Sequence, residues 1–144
     1  MILGLMTMIK KALLTCLAFS ALTACTTSPN YSKPSNLLFQ KNDEDAVQIL
    51  VQRDEKLCQD EQETQQNCPI HFYINDFKSG DFYIQNQANY YLKPNEYKLT
   101  VKNCKNECST SEIQVKVAED MLDKRFILTL DDNDKPLIIQ KTPR

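Results

Sequence analysis

Beyond residue 45 the apolar residues return at every second position, and that period permits little except β-strands half buried in a common core. Val47, Ile49 and Val51 alternate with Gln48, Leu50 and Gln52, and Ile70, Phe72 and Ile74 alternate with His71, Tyr73 and Asn75. Turn chemistry over 75–80 precedes Phe82 and Ile84, and residues 90–92 form another short strand. Pro94-Asn95 turns the chain into a strand in which Tyr97, Leu99 and Val101 oppose Lys98, Thr100 and Lys102. Ile113, Val115 and Val117 repeat the pattern, and Phe126, Leu128 and Leu130 with Leu137 and Ile139 flank a hairpin at 131–135. Short strands with frequent turns point to a sandwich or barrel. The expected all-β fold is a small antiparallel β-sandwich of about seven to eight strands with disulfide-clipped loops. Residues 118–124 suit one helical turn and nothing longer. Glycine occurs at only 2 positions, so the turns must draw on Asn and Asp for left-handed conformations.

The N-terminal stretch obeys other rules. Lys10-Lys11, an uncharged run over 12–24 and small residues before Cys25 come in the order of an export signal. A helix over that run reaches about 20 Å, short of the roughly 30 Å hydrocarbon core, which disfavours a permanent span. Leu22-Thr23-Ala24-Cys25 resembles the lipobox of bacterial lipoproteins. The resemblance implies transfer of diacylglycerol to the Cys25 sulfur, cleavage before it and acylation of the new N-terminus; thiolate is the strong nucleophile such chemistry needs. Two or three long acyl chains anchor far more firmly than a single myristoyl group. Thr26 stands where an aspartate would retain a lipoprotein at the inner membrane, so the implied address is the outer membrane, facing the periplasm. Apolar Ile2, Leu3, Leu5 and Met6 precede the lysines, which favours translation from Met8. The expected organisation is a signal peptide over 1–24, a lipidated cysteine with a Ser-, Pro- and Asn-rich tether over 25–45, and a β-sandwich over 46–144. Within the tether, the cluster Leu37-Leu38-Phe39 is suited to dock on the domain or to begin its first strand.

Cys16 leaves with the leader and Cys25 carries lipid, so Cys58, Cys68, Cys104 and Cys108 remain. An even number in an exported chain reads as two disulfides. Local pairing, Cys58 with Cys68 and Cys104 with Cys108, would clip two loop ends; the rival joins Cys58 to Cys104 and Cys68 to Cys108. Zinc is disfavoured by the ligand spacing and by an oxidising compartment.

The segment 69–101 resembles the PEGA-type surface-layer module and related lipoprotein domains of the carboxypeptidase-regulatory sandwich kind. The residues that carry this are Ile74-Asn75-Asp76, Gly80 and Leu92-Lys93-Pro94-Asn95-Glu96-Tyr97, with Asn95 where that family has glycine. Asn tolerates the left-handed region such a glycine would occupy. The resemblance implies a sandwich and a non-catalytic role, and names no ligand.

His71 is the only histidine, and alternation places it on an outer face as a surface residue without a task. No Gly-x-Ser-x-Gly elbow surrounds a serine. The acidic clusters 43–45, 60–63 and 131–134 fall on loops; Asp131-Asp132-Asn133-Asp134 lacks the twelve-residue calcium loop with its closing Glu. Tyr73, Tyr83 and Tyr91 share the parity of polar neighbours and form a candidate binding face, against the plainer reading that other segments cover them. The formal net charge of −2 becomes more negative when Lys10 and Lys11 leave, and the lysines are scattered along the strands, which argues against nucleic acid as a partner. No cofactor is implied. The expected function is a non-enzymatic, outer-membrane-anchored module that binds an envelope protein or peptidoglycan. The alternative is an inhibitor of lysozyme or another foreign enzyme, acting through the loop 59–67, and an enzyme built on His71 or on paired carboxylates comes third.

Overall fold

The computed structural model describes residues 31–141. The signal peptide, Cys25 and residues 142–144 lie outside the described residues. Eight strands follow one another: β1 (Val47–Arg53), β2 (Ile70–Ile74), β3 (Phe77–Phe82), β4 (Gln87–Leu92), β5 (Asn95–Asn103), β6 (Ser109–Val117), β7 (Arg125–Leu130) and β8 (Pro136–Lys141). They form two four-stranded sheets, in the orders β4-β1-β7-β8 and β3-β2-β5-β6. The expected all-β sandwich with disulfide-clipped loops is the fold.

Three hairpins, β2–β3, β5–β6 and β7–β8, stay within a sheet, and every other connection crosses between sheets. One pair departs from the antiparallel rule: β1 and β7 run parallel, Val51 opposite Phe126. No hairpin ties these two strands, so nothing obliges them to run in opposite directions.

The period-two pattern does what its chemistry requires. Ile70, Phe72 and Ile74 of β2, Leu99 and Val101 of β5, Ile49 and Val51 of β1 and Phe126 and Leu128 of β7 are fully enclosed between the sheets. The Phe72 ring lies edge-on to Phe82 at 6.1 Å and tilted on Tyr90 at 5.3 Å. Offset and edge-on contacts of this kind suit the ring quadrupoles better than face-to-face stacking.

Two local expectations are corrected. The turn read over 75–80 contracts to Asn75 and Asp76, both left-handed with φ of 48° and 68°, and β3 starts at Phe77. Two consecutive left-handed residues close a two-residue hairpin, and β3 is hard to see in sequence because Lys78, Ser79 and Asp81 interrupt its apolar pattern. Residues 118–124 make a turn closed by the Met121 N–H on the Ala118 carbonyl, with Met121 resting on the core, instead of a helical turn. The reliance on Asn and Asp holds: the left-handed residues are Asn36, Asp45, Asp60, Asn75, Asp76 and Asp134, with Phe39 and Gln85 besides. Asn95 is not among them and simply opens β5.

Gly80 is needed for space. A Cβ there would lie 2.6 Å from the Phe82 ring and 2.7 Å from the Tyr90 hydroxyl.

Candidate functional site

Both β3 and β4 are edge strands, one in each sheet, so their outer rims carry unpaired backbone groups. Residues 31–40 cover them. Ser35 and Asp81 exchange backbone hydrogen bonds of 3.2 and 2.9 Å, and the Leu38 N–H donates to the Ser79 carbonyl at 3.4 Å, so this strap pairs with β3. It then crosses to β4, where the Tyr91 N–H donates to the Phe39 carbonyl at 2.9 Å and the Gln40 side-chain amide donates to the Asn89 carbonyl at 2.7 Å. Leu37 plugs the seam between the sheets. Of the cluster Leu37-Leu38-Phe39, Leu37 docks on the core, whereas Leu38 and Phe39 attach by backbone and keep exposed side chains. Of the tether expected over 25–45, residues 31–40 lie on the domain.

One carboxylate locks the strap. Asp81 is 7% exposed, and its oxygens accept from the side chains of Asn36 on the strap, His71 on β2 and Lys78 on β3, the last at 2.8 Å. Burial alone would raise the Asp81 carboxyl, but the hydrogen bonds from Lys78, His71 and Asn36 outweigh it and hold the group below its ordinary value. His71 is therefore half-buried and engaged, not the idle surface residue expected from parity. It sits directly opposite Asp81 in the β2–β3 register.

Beside the strap lies a groove of about 780 Å³ on the outer face of the β4–β1 pair. Gln87, Asn89 and Tyr91 on β4 and Leu50 on β1 form its floor; Ser32, Lys33, Pro34, Leu37 and Gln40 of the strap form one wall; Gln85 and Ala88 complete it. The amides are partly committed. Gln40 uses its Nε2 on the Leu38 and Asn89 carbonyls, and Gln87 accepts at Oε1 from Gln52 Nε2 at 2.8 Å.

The three tyrosines expected to share a face are not brought together. Tyr91 enters the groove, Tyr83 is covered by the Tyr31 ring at 4.7 Å, and Tyr73 lies on the other sheet with Asp76, Thr100 and Lys102 around a hollow of about 200 Å³. Parity distinguishes inner from outer within one strand, and does not say which of two sheets a strand joins.

At the opposite end, the cysteines pair locally as Cys58–Cys68 and Cys104–Cys108. The Asn103 side-chain amide donates to both Cys58 and Cys68 sulfurs and to the Asp134 carbonyl. A basin of about 560 Å³ opens beside it, lined by Gln59, Lys105, Glu107 and Asp134 among others. The 131–134 acids are spent locally: Asp131 accepts from the N–H groups of Asn133 and Lys135, Asp134 from the Gln59 N–H, and Asp132 pairs with Lys56. Among the described residues the one His, Cys, Asp or Glu group close enough to share a metal is Cys58, Glu61 and Cys68, and the disulfide removes the thiolates a metal would need.

Two buried charged residues have roles that the local sequence pattern does not assign. Arg53 continues the inward parity of Val47, Ile49 and Val51; it is 3% exposed and donates to the Cys68 and Phe82 carbonyls at 3.0 and 2.8 Å. Burial pushes its guanidinium down to about 10, which leaves it charged at neutral pH. Asp81 carried no sequence signal, because β3 was hidden by its own polar residues. Comparison with protein families, with curated proteins and with solved structures returns no match to this chain.

Proposed function

We propose that the chain is an outer-membrane-anchored lipoprotein whose β domain binds a cell-wall or envelope component without transforming it. The observation that carries this reading is the strap. Tyr31, six residues after the lipobox cysteine, is already held on the domain by its ring against Tyr83 and its carbonyl on the Asn86 side-chain amide, and the strap residues that follow form a wall of the groove. Six residues of chain extend no further than about 20 Å, so acyl chains on Cys25 would hold the strap end of the sandwich close to the lipid surface, with the groove beside the attachment. Two disulfides in a chain headed by an export signal fit an oxidising compartment. The resemblance of 69–101 to surface-layer modules adds support for a non-catalytic role.

Two measurements test it together. Full-length protein grown with alkyne-tagged palmitate is expected to take up the label, and Cys25→Ala to lose it. The lipidated chain is expected to sediment with purified peptidoglycan sacculi and to leave them undigested. Release of soluble muropeptides would replace the binding module with a hydrolase, and an unlabelled wild-type chain would remove the anchor.

A second reading is favoured by the loop 59–67. It is clipped by Cys58–Cys68, closed by a bridge between Gln62 and Gln65, and tied to the domain where the Ile84 N–H donates to Gln66. Asp60 and Glu63 stand exposed on it. A rigid acidic loop suits insertion into the cleft of a cationic enzyme such as lysozyme. Dose-dependent inhibition of lysozyme that vanishes in Asp60→Lys with Glu63→Lys would establish this reading, and no inhibition by wild type would dismiss it.

A further inference from the structure

We infer that the groove between the strap and the β4–β1 face binds a neutral N-acetylated saccharide chain, an inference that rests on the envelope-binding role above and names its ligand class. Four features of the groove lead there.

Its volume of about 780 Å³ lies inside the range of roughly 300–1,000 Å³ found for small-ligand sites. Its lining holds four carboxamides, Gln40, Gln85, Gln87 and Asn89, a single cation, Lys33, and no carboxylate. A polyanion would need several cations and a cationic ligand at least one carboxylate. An uncharged, hydrogen-bonding ligand is what remains. Third, the Tyr91 ring lies among these amides, and a phenol ring offers a flat apolar surface with a polar tip. Pyranose rings present one apolar C–H face and a rim of hydroxyls, which match a ring bordered by amides.

The fourth feature selects the acetamido group over a plain hydroxyl. Gln40 has committed its amino group to the Leu38 and Asn89 carbonyls and keeps its oxygen as an acceptor. Gln87 has committed its oxygen to Gln52 and keeps its amino group as a donor. One oriented acceptor and one oriented donor complement the N–H and C=O of an acetamido substituent. Pro34 and Leu50 supply apolar surface for its methyl group. Gln40 is already held by two backbone carbonyls, so part of the rotamer entropy its ordering would cost is lost before binding.

Such chemistry occurs in cell-wall glycan and in chitin alike. Lys33 separates the two: wall glycan carries lactyl-linked peptide carboxylates that chitin lacks, and a lone cation at the wall of the groove would meet one.

The test is isothermal titration of the full-length chain in detergent micelles with three probes: triacetylchitotriose, maltotriose and a lysozyme-released muropeptide. Saturable binding of triacetylchitotriose is expected, with maltotriose weaker by at least about tenfold, the scale of one mispaired amide. Tyr91→Ala should weaken triacetylchitotriose by a similar factor, and Gln87→Glu, which puts a charge into the groove, should do so as well. Tyr73→Ala, on the other sheet, should change nothing. A muropeptide preference abolished by Lys33→Ala assigns the groove to wall glycan; equal affinities assign it to N-acetylated glycans at large. Equal binding of maltotriose and triacetylchitotriose, no binding of either, or indifference to both groove variants overturns the inference. A chain that sediments with sacculi yet fails this titration would lose the groove assignment and keep its envelope role.

Discussion

The two covered margins of this sandwich are secured by different chemistry. At one end Cys58–Cys68 and Cys104–Cys108 clip the loops covalently, with Asn103 bridging both sulfurs of the first pair to the β7–β8 turn. Along the rims of β3 and β4 the strap is held by a handful of backbone bonds, the Leu37 plug and the Asp81 lock. A disulfide acts largely by restricting the unfolded chain and does not respond to pH. A lock made of one ionised carboxylate does. The strap beside the groove thus depends on a single ionised carboxylate, whereas at the clipped end the disulfides hold the loops even where acid weakens the exposed Asp131 turn.

The largest effect is expected at the clipped end. Replacing Cys58 and Cys68 together by Ala should cost about 3 kcal/mol in urea unfolding, the loop-closure value for a ten-residue separation. Amide-exchange protection at Ser35 and Leu38 should persist up to global unfolding; early loss there would show the two margins to be coupled.

Gly80→Ala attacks the other margin from beneath. The new methyl would crowd Phe82 and the Tyr90 hydroxyl and press on Leu37 at 3.2 Å. Overpacking of this kind costs about 1–3 kcal/mol. Hydrogen exchange should quicken at Ser35 and Leu38 before it does in β5 or β6, and unchanged protection would mean the Leu37 plug is irrelevant to the strap.

Asp81→Asn keeps the shape and removes the charge that Lys78 and His71 meet. A loss of about 1–2 kcal/mol is expected, with strap protection falling and the disulfide end unaffected. Acid should imitate this change. The Asp81 carboxyl is held below its ordinary value in the folded protein, so its stabilising contribution is complete above the unfolded-state value of about 3.9 and is lost as the pH falls from there through the lower folded value. Strap protection in the wild type should therefore drop below about pH 4, and the Asp81→Asn profile should be flat over that window.

The smallest effect is a control that belongs to neither margin. Tyr97 donates from its hydroxyl to the Lys93 carbonyl at 2.9 Å, a tyrosine corner at the start of β5. Tyr97→Phe should cost about 1 kcal/mol in global stability with no selective change in strap exchange.

How much of this could be read beforehand varies from element to element. β1, β5, β6 and β7 announced themselves, because their inward residues alternate without interruption and the period of a pleated strand is local. The hairpin at 131–135 was legible for the same reason that Asn75 and Asp76 make a turn: short polar side chains tolerate left-handed backbone. β3 was not legible, since an edge strand facing a polar strap carries Lys78, Ser79 and Asp81 where a central strand would carry apolar residues. Arg53 was not legible although its parity points inward, because a buried guanidinium is tolerable only where carbonyls converge on it, here those of Cys68 and Phe82. The tyrosine face failed because Tyr73 and Tyr91 sit on different sheets.

By itself the sequence determined the all-β class, the alternation of most strands, the Asn- and Asp-driven turns and the presence of four cysteines to pair outside the leader, all of which depend on residues near one another along the chain; which cysteine meets which was decided by the tertiary structure. Only the tertiary structure decided that β1 lies parallel to β7, that residues 31–40 seal the rims of β3 and β4, and that His71, Lys78 and Asn36 converge on Asp81. Those arrangements depend on which sheet each strand joins. That choice is settled by burying both apolar faces at once and satisfying the exposed edges, a condition on the whole chain that no local pattern contains.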